Sequence, residues 1–205
     1  MPLQNRVDPF GTIHAVPERG RFMGNRGIIH DGATKTLLKR RWTTRAWIIC
    51  VTEFASRHRT VMGPSGYTEL FFLDEATAFA AGHRPCFECQ RQRAKEFADA
   101  FATALGRRSI RAPEIDVILH SERLAAGHPE LPLDPVELAA LPDGTMVAVD
   151  GAPHLLFAGN ALPWSFAGYG EPEPLERFRD RSLRLLTPPS TVAAFRAGFR
   201  PLTVA

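Results

Sequence analysis

The side chains in this sequence best suited to chemistry are its three cysteines, Cys50, Cys86 and Cys89. Cys86 and Cys89 form a Cys-Phe-Glu-Cys knuckle, a spacing at which two thiolates can converge on one ion. Zinc takes four ligands in a tetrahedron, so the knuckle supplies half a site. Cys50, inside the apolar run Trp47-Ile48-Ile49-Cys50-Val51, is the natural third ligand. Glu53, His58, His83 and His30 are candidates for the fourth, with water as the other way to complete an open site. Against a metal stands the habit of free cysteine, which packs in cores as a small apolar side chain. A redox role is disfavoured, because the knuckle sits outside any thioredoxin-like βαβ pattern.

Other residue sets have weaker claims. Gly24-Asn25-Arg26-Gly27 followed by His30-Asp31 has the composition of a backbone nest for an anion, with an orienting His–Asp pair. A tight turn and an ordinary surface pair is the competing reading. Asp116, His120 and Arg123 recur at i, i+4 and i+7, so they share a helical face. That pattern fits an acid–base set, and fits better a solvated face with an Asp–His pair. Arg40, Arg41, Arg57, Arg59, Arg91 and Lys95, interleaved with Trp42 and Trp47, are the cations expected to face nucleic-acid phosphates.

These residues need a scaffold, and the periodicity predicts one. Residues 46–54 read as a strand apolar on both faces, with 57–62 pairing back as a second strand and 67–73 forming a third. Residues 21–32 read as a glycine-bent loop followed by a short strand. Asp74 is placed to cap a short helix of small residues at 75–81, stopped by Gly82. A long helix over 90–105 carries Ala94, Phe97, Ala98, Phe101 and Leu105 at helical spacing. Further helices are expected over 114–126, from Asp134-Pro135, and over 191–197. A hairpin of 145–149 with 154–157 and a strand at 182–186 complete the list, with 164–170 read as loop. Gly82-His83-Arg84-Pro85 is echoed by Gly198-Phe199-Arg200-Pro201, a helix-stopping device used twice.

The run Phe71-Phe72-Leu73-Asp74-Glu75-Ala76, then Ala80-Ala81-Gly82-His83-Arg84-Pro85-Cys86-Phe87-Glu88-Cys89-Gln90, resembles the second half of the Ada-type metal-binding domain of bacterial DNA alkylation-repair proteins. The resemblance covers roughly residues 46–95. It implies zinc, with two earlier cysteines as Cys-x-x-x-Cys and the first of them accepting a methyl group from DNA phosphotriesters. Cys50 fits that first position, whereas the second falls on Phe54, which cannot ligate. The whole chain also resembles an uncharacterised bacterial protein family, which implies no activity.

The fold class expected is α+β: an N-terminal strand hairpin with the knuckle and long helix, then a small β-hairpin and helix subdomain. Residues 1–111 form the basic region and 112–205 the acidic one, packed as one unit. Up to Ala112 there are 18 Lys/Arg against 10 Asp/Glu, a net of +8, and beyond it 7 against 12, a net of −5. A basic half attracts phosphate backbones, and an acidic half can recruit a protein partner or neutralise the basic one. At 44% hydrophobic and 23% charged, the composition excludes global disorder. No apolar run reaches the ~20 residues of a membrane span. The N-terminus lacks a signal-peptide layout, and three cysteines make no disulfide framework, so a cytoplasmic location is expected. The leading expectation is a zinc-knuckle protein that binds nucleic acid or assists DNA handling. The alternatives are a small enzyme using His30 and Asp31 or His120 between the halves, and an interaction module whose acidic C-terminal half recruits a partner, a reading that an exposed apolar patch around Trp164 and Tyr169 would favour.

Overall fold

A computed structural model describes residues 1–55, 60–124 and 131–205. In chain order it contains β1 (Arg6–Val7), β2 (Ile13–His14), β3 (Phe22–Asn25), β4 (His30–Asp31), β5 (Thr36–Leu37), β6 (Ile48–Val51) and β7 (Leu70–Phe72). Helix α1 (Glu75–Ala80), the short β8 (Arg84–Pro85), α2 (Arg91–Ala104) and α3 (Ala112–Leu124) follow. The remainder comprises β9 (Leu131–Pro132), α4 (Pro135–Leu138), β10 (Met146–Val149), β11 (Ala152–Phe157), β12 (Asn160–Ser165), β13 (Gly168–Tyr169), β14 (Glu173–Pro174), β15 (Leu183–Leu185) and α5 (Pro189–Arg196). The class is α+β, as the residue pattern predicts. Among the described residues no helix is long and apolar enough to cross a membrane.

The first sheet has the order β2-β1-β7-β3-β6-β8, antiparallel except for the parallel pairs β1–β7 and β6–β8. Strand β6 is paired along both edges, and its residues read as apolar on both faces because the alternating Ile49 and Cys50 are both buried. Its partners differ from the expectation. The stretch Thr60–Met62 forms no strand, residues 57–59 lie outside the described residues, and the antiparallel neighbour of β6 is β3. The segment read as a loop thus supplies a central strand. Gly24 explains both the misreading and the fact: a Cβ there would sit 2.2 Å from the Ile48 carbonyl oxygen. Glycine inside a strand marks such a close backbone approach as readily as a bend.

The second sheet follows the order β13-β12-β11-β10-β15-β9, with β14 also paired to β12. Residues 164–170, expected as loop, provide the end of β12 and all of β13. Helix α1 lies between the two sheets, every one of its residues buried. Ala78 and Phe79 face the first core, while Ala76 and Ala80 pack with Met146, Ala148, Leu155 and Leu162 of the second sheet. Only small side chains let a helix fit there. Asp74 caps it through the Thr77 amide, and Gly82 ends it at a φ of +79°, both as the sequence predicts.

Aromatic packing closes the first core. Phe79 stands 5.1 Å from Phe97 and 5.4 Å from both Phe195 and Phe199 between ring centroids. Burying each such ring contributes about 2 kcal/mol. Ile115 and Leu119 of α3 and Phe195 of α5 join Ile49 and Phe72 in this one cluster. The C-terminal tail returns as well: Glu75 N–H donates to the Leu202 carbonyl, and the Leu202 N–H donates to the Glu75 carboxylate.

Candidate metal centre

Strand register brings the cysteines together. In the parallel pair β6–β8, Ile48 lies opposite Arg84 and Ile49 opposite Pro85. The pairing continues one residue further, with the Cys86 N–H donating to the Ile49 carbonyl at 2.9 Å, so Cys86 lands beside Cys50. The chain then turns, the Gln90 N–H bonding the Cys86 carbonyl at 3.0 Å, and the turn carries Cys89 back to the same place. The Gln90 side chain pins that turn by donating to the Ile49 carbonyl at 2.9 Å. All three Sγ atoms lie within 4.8 Å of one another, and all three thiols are free. Tetrahedral zinc with bonds of about 2.3 Å spaces its sulfurs about 3.8 Å apart, so closure needs a movement of about 1 Å at most.

The surroundings favour a thiolate at Cys86. Hydrogen bonds from the Cys50 and Cys89 thiols hold it below its ordinary value, and the backbone N–H groups of Cys89 and Glu88 add to the effect. Glu88 N approaches the sulfur at 3.4 Å. Cys50 is driven the other way, by its hydrogen bonds to the same two sulfurs and then by burial. The trio therefore shares protons in a way that a soft cation would replace. It opens on a cavity of about 320 Å3 walled by Met23, Ile48, Phe54 and Phe71, with Asn25, Thr52, Tyr67, Glu69 and Glu88 among its polar members. Phe54, at the position where the Ada resemblance implies a cysteine, is thus part of the cavity wall beside the thiols.

None of the described candidates for a fourth ligand joins the sulfurs, and the cluster has no further His, Cys, Asp or Glu among the described residues. His30 uses both ring nitrogens, on Thr68 Oγ1 at 2.6 Å and the Gly63 carbonyl at 2.9 Å. His83 is buried elsewhere, between Trp47 and Phe72, with Nε2 accepting from Arg26 Nε at 3.3 Å. Glu53 is exposed and does not line the cavity. His58 lies outside the described residues.

The knuckle is held by a pair that no local pattern announces. Arg84 donates to Asp116 through Nε and Nη2, both at 2.8 Å, and through Nη1 to the Pro85 carbonyl at 3.1 Å. Both side chains are buried. The face of Asp116, His120 and Arg123 is therefore docked on the knuckle corner rather than solvated, and the expected Asp116–His120 pair gives way to Asp116–Arg84. Arg123 reaches the carbonyls of Gly82 and Arg45 and stacks on Trp47, and His120 lies against Trp42.

The weaker reading of residues 24–27 as an anion nest does not hold, since Gly24 and Asn25 belong to β3 and Asn25 Oδ1 accepts from the Gly27 amide at 3.2 Å. Asp31 closes a turn by accepting from the Ala33 and Thr34 amides at 2.9 Å. Neither the cavity at the thiols nor the cavity beside Trp47 is lined by His30, Asp31 or His120. Arg40, Arg41, Arg91 and Lys95 are exposed; Arg57 and Arg59 lie outside the described residues. Trp164 and Tyr169 form no open apolar patch, because they donate to Thr77 Oγ1 and to the Asp74 carboxylate at the start of α1. No family model, curated protein or solved structure matches the chain.

Proposed function

We propose that this chain is a zinc-binding protein that contacts nucleic acid, the metal held by Cys50, Cys86 and Cys89 with the fourth position turned to the cavity. The observation that carries the reading is the meeting of three free thiols within 4.8 Å, from two segments far apart in sequence. A set of three sulfurs is soft, which favours zinc over magnesium or calcium. Three protein ligands with an open position is the pattern of a reactive rather than a closed structural zinc site. The order of strand, small-residue helix, knuckle and long helix is the one the Ada resemblance implies. Nucleic acid follows from the basic character of residues 1–112 and from exposed cations on two elements: Arg40 and Arg41 beside Trp42, and Arg91 and Lys95 on the helix that leaves the knuckle.

The test is elemental analysis of the purified protein paired with oligonucleotide binding at several salt concentrations. About one zinc per chain is expected, lost in Cys89→Ser. Affinity should fall with salt, and neutralising Arg40 and Arg41, or Arg91 and Lys95, should flatten that dependence by about one unit of slope per phosphate contact removed. Protein that takes up no metal and shows no salt-sensitive binding sinks the reading.

A further inference from the structure

A second cavity, of about 430 Å3, is lined in part by Trp47 and is unusual in its charge. Arg26, Arg41 and Arg123 line it, together with Trp42, Trp47 and Thr12, and none of its lining residues is acidic. Arg26 is 2% exposed and Arg123 8%. Their guanidinium carbons lie 4.1 and 4.0 Å from the Trp47 ring centroid.

Buried guanidinium groups ordinarily face a carboxylate. Arg84 obeys this with Asp116, whereas among the described residues neither Arg26 nor Arg123 has an ion pair. Arg26 spends its donors on His83 and the Gly11 carbonyl, and Arg123 on the carbonyls of Gly82 and Arg45. Arg26 Nη2 and Arg123 Nε are buried with no hydrogen-bond partner. Burial pulls both groups down to about 9 from an ordinary 12.5, and the carboxylates that offset it, Asp8 for Arg26 and Asp116 and Glu122 for Arg123, do so without a direct ion pair. Each of these carboxylates is already engaged elsewhere: Asp8 by His14 and the Thr12 amide, Asp116 by Arg84, and Glu122 by Ser190.

We propose that this cavity binds a phosphomonoester carried on a planar or apolar group, such as a nucleotide. Two buried cations with no ion pair of their own match the ≈ −1.5 to −2 charge of a phosphomonoester better than a single carboxylate. Arg41, exposed at the cavity, adds a third cation, and Trp42, 39% exposed, offers a ring face to a base. The inference does not rest on the zinc reading.

Titration calorimetry with adenosine 5′-monophosphate, inorganic phosphate and adenosine tests it. The monophosphate should bind one to one and at least about tenfold tighter than adenosine, since charge-assisted hydrogen bonds carry the difference. Arg41→Gln, an exposed change, should weaken the monophosphate about tenfold, and Trp42→Ala should weaken it while leaving inorganic phosphate unchanged. Cys89→Ser should bind the monophosphate as the wild type does, which separates this site from the metal. A 5′-phosphorylated and a 5′-hydroxyl oligothymidylate then tell the source of the group: preference for the phosphorylated strand assigns the site to strand ends, and equal weakness assigns it to free nucleotides. A folded wild-type protein that binds the monophosphate no better than adenosine, or a carboxylate such as benzoate better than either, overturns the proposal.

Discussion

Cys50 and Cys86 stand side by side because a two-residue strand, Arg84–Pro85, runs parallel to β6 and hands its register on to the next residue. The metal site is thus a product of sheet pairing, and binding there should be coupled to the stability of the whole first sheet.

From that coupling, zinc should raise the melting temperature in proportion to the logarithm of its free concentration. Each tenfold increase above the dissociation constant adds about 1.4 kcal/mol, or about 4 °C for a chain of this size. Cys86→Ser should abolish the dependence, and cobalt should give a thiolate charge-transfer band in the wild type alone. Calorimetry across a buffered zinc series is the measurement. A flat melting temperature means that the sulfurs do not hold the ion.

Arg84 and Asp116 should be worth more together than either is alone. Each is the other's ion-pair partner for a buried charge, joined by two hydrogen bonds of 2.8 Å. Removing one leaves the other unpaired, at a cost of about 3–5 kcal/mol. Arg84→Met and Asp116→Asn should each lower the unfolding free energy by that amount, and the double variant should recover part of the loss. Strict additivity in the double-mutant cycle would show that the two do not act as a pair.

How much of this was readable from the residues depended on whether a signal was local. Asp74 before a small-residue run and Gly82 after it announced α1, because capping and positive φ are local demands. The convergence of the cysteines was legible too: a continuous apolar strand and a CxxC at a helix start leave few ways to build the corner. Gly24 misled, since glycine serves a bend and a close strand crossing alike. Arg26, Arg84 and Arg123 were read as surface or left unassigned, because an arginine's burial is decided by Trp47 and Asp116, partners 21, 32 and 76 positions away. Trp164 and Tyr169 fell into a supposed loop for the same reason: their hydrogen-bond partners lie on α1, nearly half the chain earlier.

Gly82 should tolerate no side chain. Its φ of +79° costs any L residue about 1 kcal/mol, and a Cβ would sit 2.4 Å from Arg123 Cδ. That arginine is pinned against Trp47 and cannot give way freely, so overpacking adds about 1–3 kcal/mol. Gly106 is the control, with a φ of +65° and nothing within 4 Å of a new Cβ. Gly82→Ala should therefore destabilise by about 2–4 kcal/mol and Gly106→Ala by about 1 kcal/mol in urea unfolding. Equal losses would remove the steric part of the explanation.

His83 should make stability depend on pH. Burial, and after it the charges of Arg26 and Arg123, hold its imidazole well below the ordinary 6.5. The folded chain thus keeps a neutral ring where the unfolded chain binds a proton. Unfolding takes up that proton below about pH 6.5, so stability is full above this value and is lost as pH falls, by about 1.4 kcal/mol per unit. His83→Phe keeps a ring against Trp47 and Phe72 but cannot titrate, and it leaves Arg26 Nε without its acceptor. The variant should accordingly be the weaker protein at about pH 7.5, and the gap between the two should shrink toward about pH 5.5 as the wild type loses its share. Urea midpoints of both proteins across this range measure the gap directly, with the cysteine titrations common to both and cancelling. A gap that stays constant would mean that the folded chain accepts the proton on His83, contrary to the cationic surroundings that Arg26 and Arg123 give it.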